Sequence, residues 1–336
     1  MKLIIDGFGS FVGKHSERLV IRNKGETLQE IPLFEIEHVL VIAAGVSLSS
    51  DVIRECCERG IPISFLDRKG DVYAVVLSPD LTGTVKTRRE QLLAYLDERG
   101  VGVAKAFAVG KIRNQANLLK YMSKYRKGAD PDVYEEVREG ALEIEQLAEE
   151  VKALKGGNVD ELRPKLLNRE GRAGHLYWQT VRKLVRDDLE WEGREGRGAQ
   201  DLVNSMLNYG YGILYTQIQQ AVVLAGLDPY AGFVHVDRAG KPSLVLDLVE
   251  EFRQPVVDRS VFALLNQGVA LEMEDDRLAQ NARRTLAEKV LDRIDSDDYY
   301  EGKKHKLRTI MQSQARHLAT FLRGEGKAYQ PFIAKW

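Results

Sequence analysis

Three polar side chains in short, distinctive segments make up a ligand set for a hard cation. Glu170 lies in Asn168-Arg169-Glu170-Gly171-Arg172-Ala173-Gly174-His175, and His235 in Gly232-Phe233-Val234-His235-Val236-Asp237. Glu250 lies in the run from Ser243 to Arg253. Two carboxylates and an imidazole suit Mg2+ or Mn2+ better than Zn2+ or copper. A divalent ion held this way, in a chain that also carries basic helices, points to phosphodiester chemistry on nucleic acid.

Each of these residues needs an element to position it. Residues 243–253 read as a helix that Ser243 can cap, with Leu244, Val245, Leu246, Leu248, Val249 and Phe252 on one broad arc. Asp247, Glu250 and Glu251 occupy the remaining side, within about 100° of one another. An exposed acidic edge on an amphipathic helix would look the same. Phe233-Val234-His235-Val236 reads as a strand, and the turn Arg238-Ala239-Gly240-Lys241-Pro242 folds the chain back so that His235 can approach that helix. A histidine hydrogen-bonded in the core is the alternative. On the helix expected at 200–226, Asn204, Asn208, Tyr211, Tyr215 and Gln219 fall within about 80°. Buried amides and phenols need partners, so this stripe implies either a wet, ligand-bearing cleft or hydrogen bonding between helices.

At 336 residues the chain can bury a sizeable core, and two domains are expected. The adjacent Cys56 and Cys57 are poor disulfide partners and lack metal-binding spacing, which fits a reducing compartment and a cytoplasmic location. No apolar run approaches the roughly 18 residues needed to span a membrane. The net charge of −1 hides strong segregation. Residues 86–127 hold eleven Lys/Arg against three Asp/Glu, and residues 129–161 reverse this with three against eleven. The tail 301–336 is basic again, with eight against two.

The first 80 or so residues read mainly as strands, at Ser10–Arg22, Gln29–Ala43, Ile61–Leu66 and on to Leu77, with Asn23-Lys24-Gly25 as a turn. A helix capped by Ser49 or Ser50 runs through Arg59 and ends at Gly60. Ser78-Pro79-Asp80 and Gly83 mark a linker. From about residue 86 the period is helical. Arg113, Lys120, Lys124 and Lys127 share an arc of about 60°, flanked by Tyr121 and Tyr125, a pattern suited to a nucleic-acid backbone or to an exposed helix face. Asp130-Pro131 opens an acidic helix running toward Gly156, assigned a structural or solvating role. The expected fold is α+β, a small N-terminal β-strand domain (1–84) followed by a larger all-α domain (85–336).

The ordered segments resemble those of the CRISPR-associated integrase family, the universal endonuclease of spacer acquisition and the first of the numbered Cas proteins. The resemblance rests on Asn168 to Trp178, Asp201 to Tyr211, Gly232-Phe233-Val234-His235, Asp247 to Arg253, and Tyr329-Gln330-Pro331-Phe332. It implies that Glu170, His235 and Glu250 are the metal-binding and catalytic residues, with Mg2+ or Mn2+ as the ion. Asp247 would be an auxiliary carboxylate, and Tyr215 and Asn204 would line the cleft. It further implies that the β-domains pair two subunits into a homodimer. Two such dimers would flank a dimer of the small ferredoxin-like partner, the second numbered Cas protein, in a hetero-hexamer that acts on double-stranded and branched DNA. A non-catalytic DNA-binding architectural protein is the leading alternative, and a metal hydrolase of small phosphorylated substrates the second.

Overall fold

Left-handed turn residues and short apolar runs build two small sheets from the first 76 residues. The computed structural model describes residues 1–76, 78, 85–189, 191–196 and 198–335. Its first strands are β1 (Lys2–Ile5), β2 (Phe11–His15), β3 (Arg18–Asn23), β4 (Glu26–Pro32), β5 (His38–Val41) and β6 (Ser47–Leu48). Helix α1 (Ser50–Glu58) then leads to β7 (Ile63–Leu66) and β8 (Val72–Val76). The run Ser10–Arg22 is two strands rather than one, because Ser16, at φ 53°, turns the chain between β2 and β3. Lys24 and Gly25, at φ 49° and 86°, make the expected turn between β3 and β4. The run Gln29–Ala43 is likewise divided, since a 3-10 turn at Leu33–Glu35 follows Pro32. Ser49 caps α1 by accepting a hydrogen bond from the Val52 N–H, and Gly60, at φ 67°, follows its end.

One sheet has the order β4-β3-β2-β6 and the other β1-β5-β7-β8, the latter parallel except for β8. Alternation along β5 gives its two faces different partners. Val39 and Val41 face a small core with Val52 and Ile63, while Leu40 and Ile42 join the large helical core.

The rest of the chain is mostly helical: α2 (Val85–Ala94), α3 (Glu98–Ser123), α4 (Arg126–Ala129), α5 (Pro131–Ala153), α6 (Val159–Arg182), α7 (Leu202–Leu224), α8 (Ser243–Leu248) and α9 (Arg259–Asn266). A short β-ribbon, β9 (Met273–Glu274) with β10 (Arg277–Leu278), precedes α10 (Gln280–Asp295). A hairpin of β11 (Asp297–Tyr300) and β12 (Lys303–Lys306) leads to α11 (Leu307–Leu322). This is the expected α+β class, a small β-region followed by a mostly helical part. The linker expected at Pro79-Asp80 and Gly83, and with it the boundary at 84, lies outside the described residues. Among the described residues no helix is long and apolar enough to cross a membrane.

The β-region docks on α7. A methyl group on Gly212 would overlap the Gly70 carbonyl, so only glycine permits this approach. Beside it, His38 is buried between β7 and α7, with Nε2 2.9 Å from Ser64 Oγ and Nδ1 2.7 Å from Gln217 Nε2. Gln217 Nε2 can only donate, so Nδ1 accepts and the ring is neutral. Burial, aided by nearby Lys2, lowers the His38 pKa to about 3. The folded state therefore resists a proton that the unfolded chain takes up near 6.5, and stability falls as pH drops below that value. Acidification from pH 7.5 to 5 should cost about 2 kcal/mol through this residue. Melting curves at both pH values should show His38→Gln losing less stability than wild type by about that amount.

Candidate active site

Asp247 organises the loop that carries His235. Its Oδ2 accepts the backbone N–H groups of Phe233 at 2.6 Å and Val234 at 3.0 Å. Its Oδ1 accepts the His235 N–H at 2.9 Å and lies 2.7 Å from His235 Nδ1. A carboxylate oxygen accepts here, so Nδ1 carries a proton and the ring is turned with Nε2 away from Asp247. Gly232 permits this close approach, since a Cβ there would press on the Ser243 backbone and on Asp247 Oδ2. From the opposite side, Arg163 on α6 donates to the carbonyls of Val234 and Phe233 at 3.0 and 3.3 Å and to Tyr95 Oη at 2.8 Å. Residues 233–236 are thus an irregular loop, not the expected strand. The N–H groups of Phe233, Val234 and His235 bond to a side chain in place of a neighbouring strand.

The expected single helix at 243–253 also differs. Regular α8 ends at Leu248, a 3-10 turn covers Val249–Glu251, and a π-helical turn covers Arg253–Asp258. Ser243 is the first helical residue rather than the cap; Pro242 holds the cap position. The changes of pitch send successive polar side chains in different directions. Glu250 faces Glu170 of α6 and Lys111 of α3. Glu251 turns the other way and accepts hydrogen bonds from Tyr329 Oη, the Phe332 N–H and Gln314 Nε2 at 2.7, 2.8 and 3.2 Å. Burial there raises its pKa to about 8. Asp258 accepts from Tyr177 and Tyr211 at 2.7 and 2.6 Å.

Glu170, His235, Asp247 and Glu250 line one cleft with Lys111, Phe107, Ala108 and Val234, and the cavity there measures about 10 Å³. The Lys111 ammonium contacts Glu170 Oε1 and stands 3.0 Å from Glu250 Oε2. Arg253 pairs with Glu250 Oε1 at 3.1 Å and donates to Tyr215 Oη at 2.6 Å. Although burial alone would raise it, Arg253, Lys111 and His235 together hold the Glu250 pKa below the ordinary glutamate value. Burial pulls Lys111 down, but Glu170 and Glu250 outweigh this and hold it above the ordinary lysine value, so it remains an ammonium.

The donor chemistry fits a hard divalent ion. Glu250 Oε2 is buried with an ion pair but no directed hydrogen bond, and Asp247 engages His235 through Nδ1, which leaves Nε2 as the ring nitrogen a metal would use. Among the described residues, however, no three His, Cys, Asp or Glu side chains stand ready to hold a metal. The Lys111 ammonium lies between the Glu170 and Glu250 carboxylates and pairs with both. Of the two acids that could supplement the ligands, Asp247 is committed to the His235 loop and Glu251 to the C-terminal segment.

Other expected site residues lie elsewhere. Asn204 does not line the cleft. It is buried at the start of α7, where its amide donates to the Gly193 carbonyl and accepts from the Glu195 N–H and Arg194. It holds the 193–195 loop. Tyr215 reaches the site only through Arg253. The basic stripe is not one free helical face. Arg113 pairs with Glu145 and Glu149 of α5, and Lys120 with Glu145 at 2.8 Å. Lys124 caps α3 and Lys127 belongs to the separate turn α4, both exposed. Sequence reasoning missed Lys111, although a signal existed: it lies about 160° around the helix from Arg113, on the apolar side of α3. Arg253 and Arg163 were missed as well: the partners of Arg163 come from distant segments, whereas Arg253 stands only three residues after Glu250, a spacing visible in the sequence.

Comparison with known proteins identifies the family. The family described as CRISPR associated protein Cas1 matches residues 3–292. The CRISPR-associated endonuclease Cas1 1 of Archaeoglobus fulgidus is 39% identical over 349 residues, covering 100% of both chains. Among solved structures, a casposase bound to integration product superimposes with a TM-score of 0.82 at 23% identity, over 98% of this chain and 92% of that one. A Cas6-RT-Cas1–Cas2 complex gives 0.77 at 21% identity, over 99% of this chain and 36% of that chain, so this protein spans about a third of its length. The chain belongs to the Cas1 family of CRISPR-associated proteins.

Proposed function

We propose that this protein is a divalent-metal-dependent DNA endonuclease and integrase of CRISPR immunity. It would insert short foreign DNA into the repeat array by attack of a DNA 3′-hydroxyl on a phosphodiester. The convergence of Glu170, His235 and Glu250 on one cleft carries this reading. A phosphodiester is shielded by its own negative oxygens, and a bound Mg2+ or Mn2+ supplies charge neutralisation and lowers the pKa of the attacking oxygen. Glu170, Glu250 and His235 Nε2 are the residues that would hold that ion. Asp247 keeps the His235 proton on Nδ1, and Arg253 fixes the orientation of Glu250. By the same reading the protein works as a homodimer paired through its β-region. It would assemble with the second numbered Cas protein into the hetero-hexamer, and the Cas1–Cas2 neighbour supports such a partner.

The direct test is strand joining and cutting of branched DNA with and without Mn2+. Glu170→Gln, His235→Ala and Glu250→Gln should each reduce activity to the metal-free level while circular dichroism stays that of wild type. Joining at wild-type rates by any of them would refute the ligand assignment. DNA binding by wild type without cutting or joining in either metal would favour the architectural alternative.

Asp247→Asn tests positioning apart from ligation. The amide can present its donor to His235 Nδ1 and disturb the tautomer, so metal affinity or activity should fall by about 10–100-fold. In that orientation the remaining amide oxygen still accepts from the Phe233 and Val234 N–H groups, while the His235 N–H loses its acceptor and the loop loosens there. An unchanged Mn2+ affinity together with unchanged joining would show that the His235 loop does not depend on this carboxylate.

A further inference from the structure

We infer that Lys111 is a built-in counter-ion that holds the cation position between Glu170 and Glu250 and is displaced when a divalent ion loads. The inference deepens the proposed metal-dependent reading and rests on it. The ammonium touches both carboxylates, and its side chain is only 15% exposed, beside Glu170 at 13% and Glu250 at 6%. Two carboxylates brought together out of water repel unless a cation joins them. Lys111 meets that need while the protein carries no metal.

The geometry also limits how the lysine can leave. Its neighbours on α3 are anchored. Ile112 and Asn114 are buried, and Asn114 Nδ2 donates to the carbonyls of Glu251 and Phe332 at 2.8 and 2.9 Å. Gly110 packs against Pro331 and Glu251, so α3 has no room to move closer on that side. The ammonium therefore withdraws by rotation of its own stem, with the helix remaining in place. With the ammonium in place, the space left in the cleft is about 10 Å³, at most about one water, which does not admit a hydrated divalent ion beside it. A tethered cation competes as an intramolecular ligand, so it weakens metal binding without preventing it.

Lys111→Met removes the competitor and Lys111→Arg retains it. Mn2+ binding to the DNA-free protein, followed by electron paramagnetic resonance and calorimetry, should tighten at least about tenfold in Lys111→Met. It should not tighten in Lys111→Arg. In EDTA, Lys111→Met should melt below wild type, and saturating Mn2+ should raise its melting temperature more than it raises that of wild type. Should Lys111→Met fail to fold, Lys111→Gln serves in its place with the same gain expected. Glu170→Gln separates the two readings. If wild type binds Mn2+ at a site that Glu170→Gln abolishes, yet removal of Lys111 leaves affinity unchanged or weaker, the counter-ion role falls alone. If no such Mn2+ site exists, the metal-dependent reading falls and takes this inference with it.

Discussion

Two carboxyl groups side by side in a protein interior must share a proton or be balanced by cations, and here both remain carboxylates beside Lys111 and Arg253. Much of the helical region can be read as an answer to that constraint. Glu170 comes from α6 and Glu250 from the turn after α8, and neither helix alone could neutralise the pair. Lys111 reaches in from α3, and Arg253 arrives from the π-helical turn three residues after Glu250. Three separate stretches of chain must therefore pack correctly before the acids become tolerable. This ties the local chemistry to the packing of α3 against α6 within the helical core.

The same constraint accounts for the irregular backbone between Ser243 and Asp258. Four acids in sixteen residues would crowd a regular helix with like charges. Passing from α to 3-10 to π pitch directs each acid to its own partners instead. Asp247 takes the His235 loop, Glu250 the two cations, Glu251 the C-terminal segment, and Asp258 two tyrosines. Departures from α pitch of this kind collect at functional sites because they re-aim side chains that helical periodicity would superimpose. Glu251 and Asn114 also join the tail around Phe332 to the back of the site, so that the C-terminal residues buttress the turn bearing Glu250.

Much of this was legible in the sequence where the signal is local. The Ser49 cap, the Gly60 stop and the Asn23-Lys24-Gly25 turn each depend on a few adjacent residues and occur where expected. The choice of Glu170, His235 and Glu250 drew on residue type, order and family resemblance, and the fold brings all three to one cleft. What failed depended on contacts between distant segments. The Phe233–Val236 run has the composition of a strand, but Asp247 and Arg163 satisfy its backbone from two sides, so it pairs with no other strand. The polar stripe on α7 was sound as a demand for partners. Its amides at Asn204 and Asn208 found them in the 193–196 loop rather than in a ligand.

Charge blocks call for the same distinction between local pattern and distant partner. Net positive charge on residues 86–127 and net negative charge on 129–161 suggested a basic surface and a solvated acidic helix. In three dimensions α3 and α5 pack along their length, and Arg113 and Lys120 spend their charge on Glu145 and Glu149. Opposite blocks that are neighbours in sequence can thus neutralise each other before any partner arrives. Within that stripe, the positive charge left over lies at the end of α3 and the turn beyond it, where Lys124 and Lys127 remain exposed beside Tyr125. Segment charge therefore indicates which helices pair. The surface open to a polyanion is what remains after that pairing, and here it is shorter than the helical wheel implied.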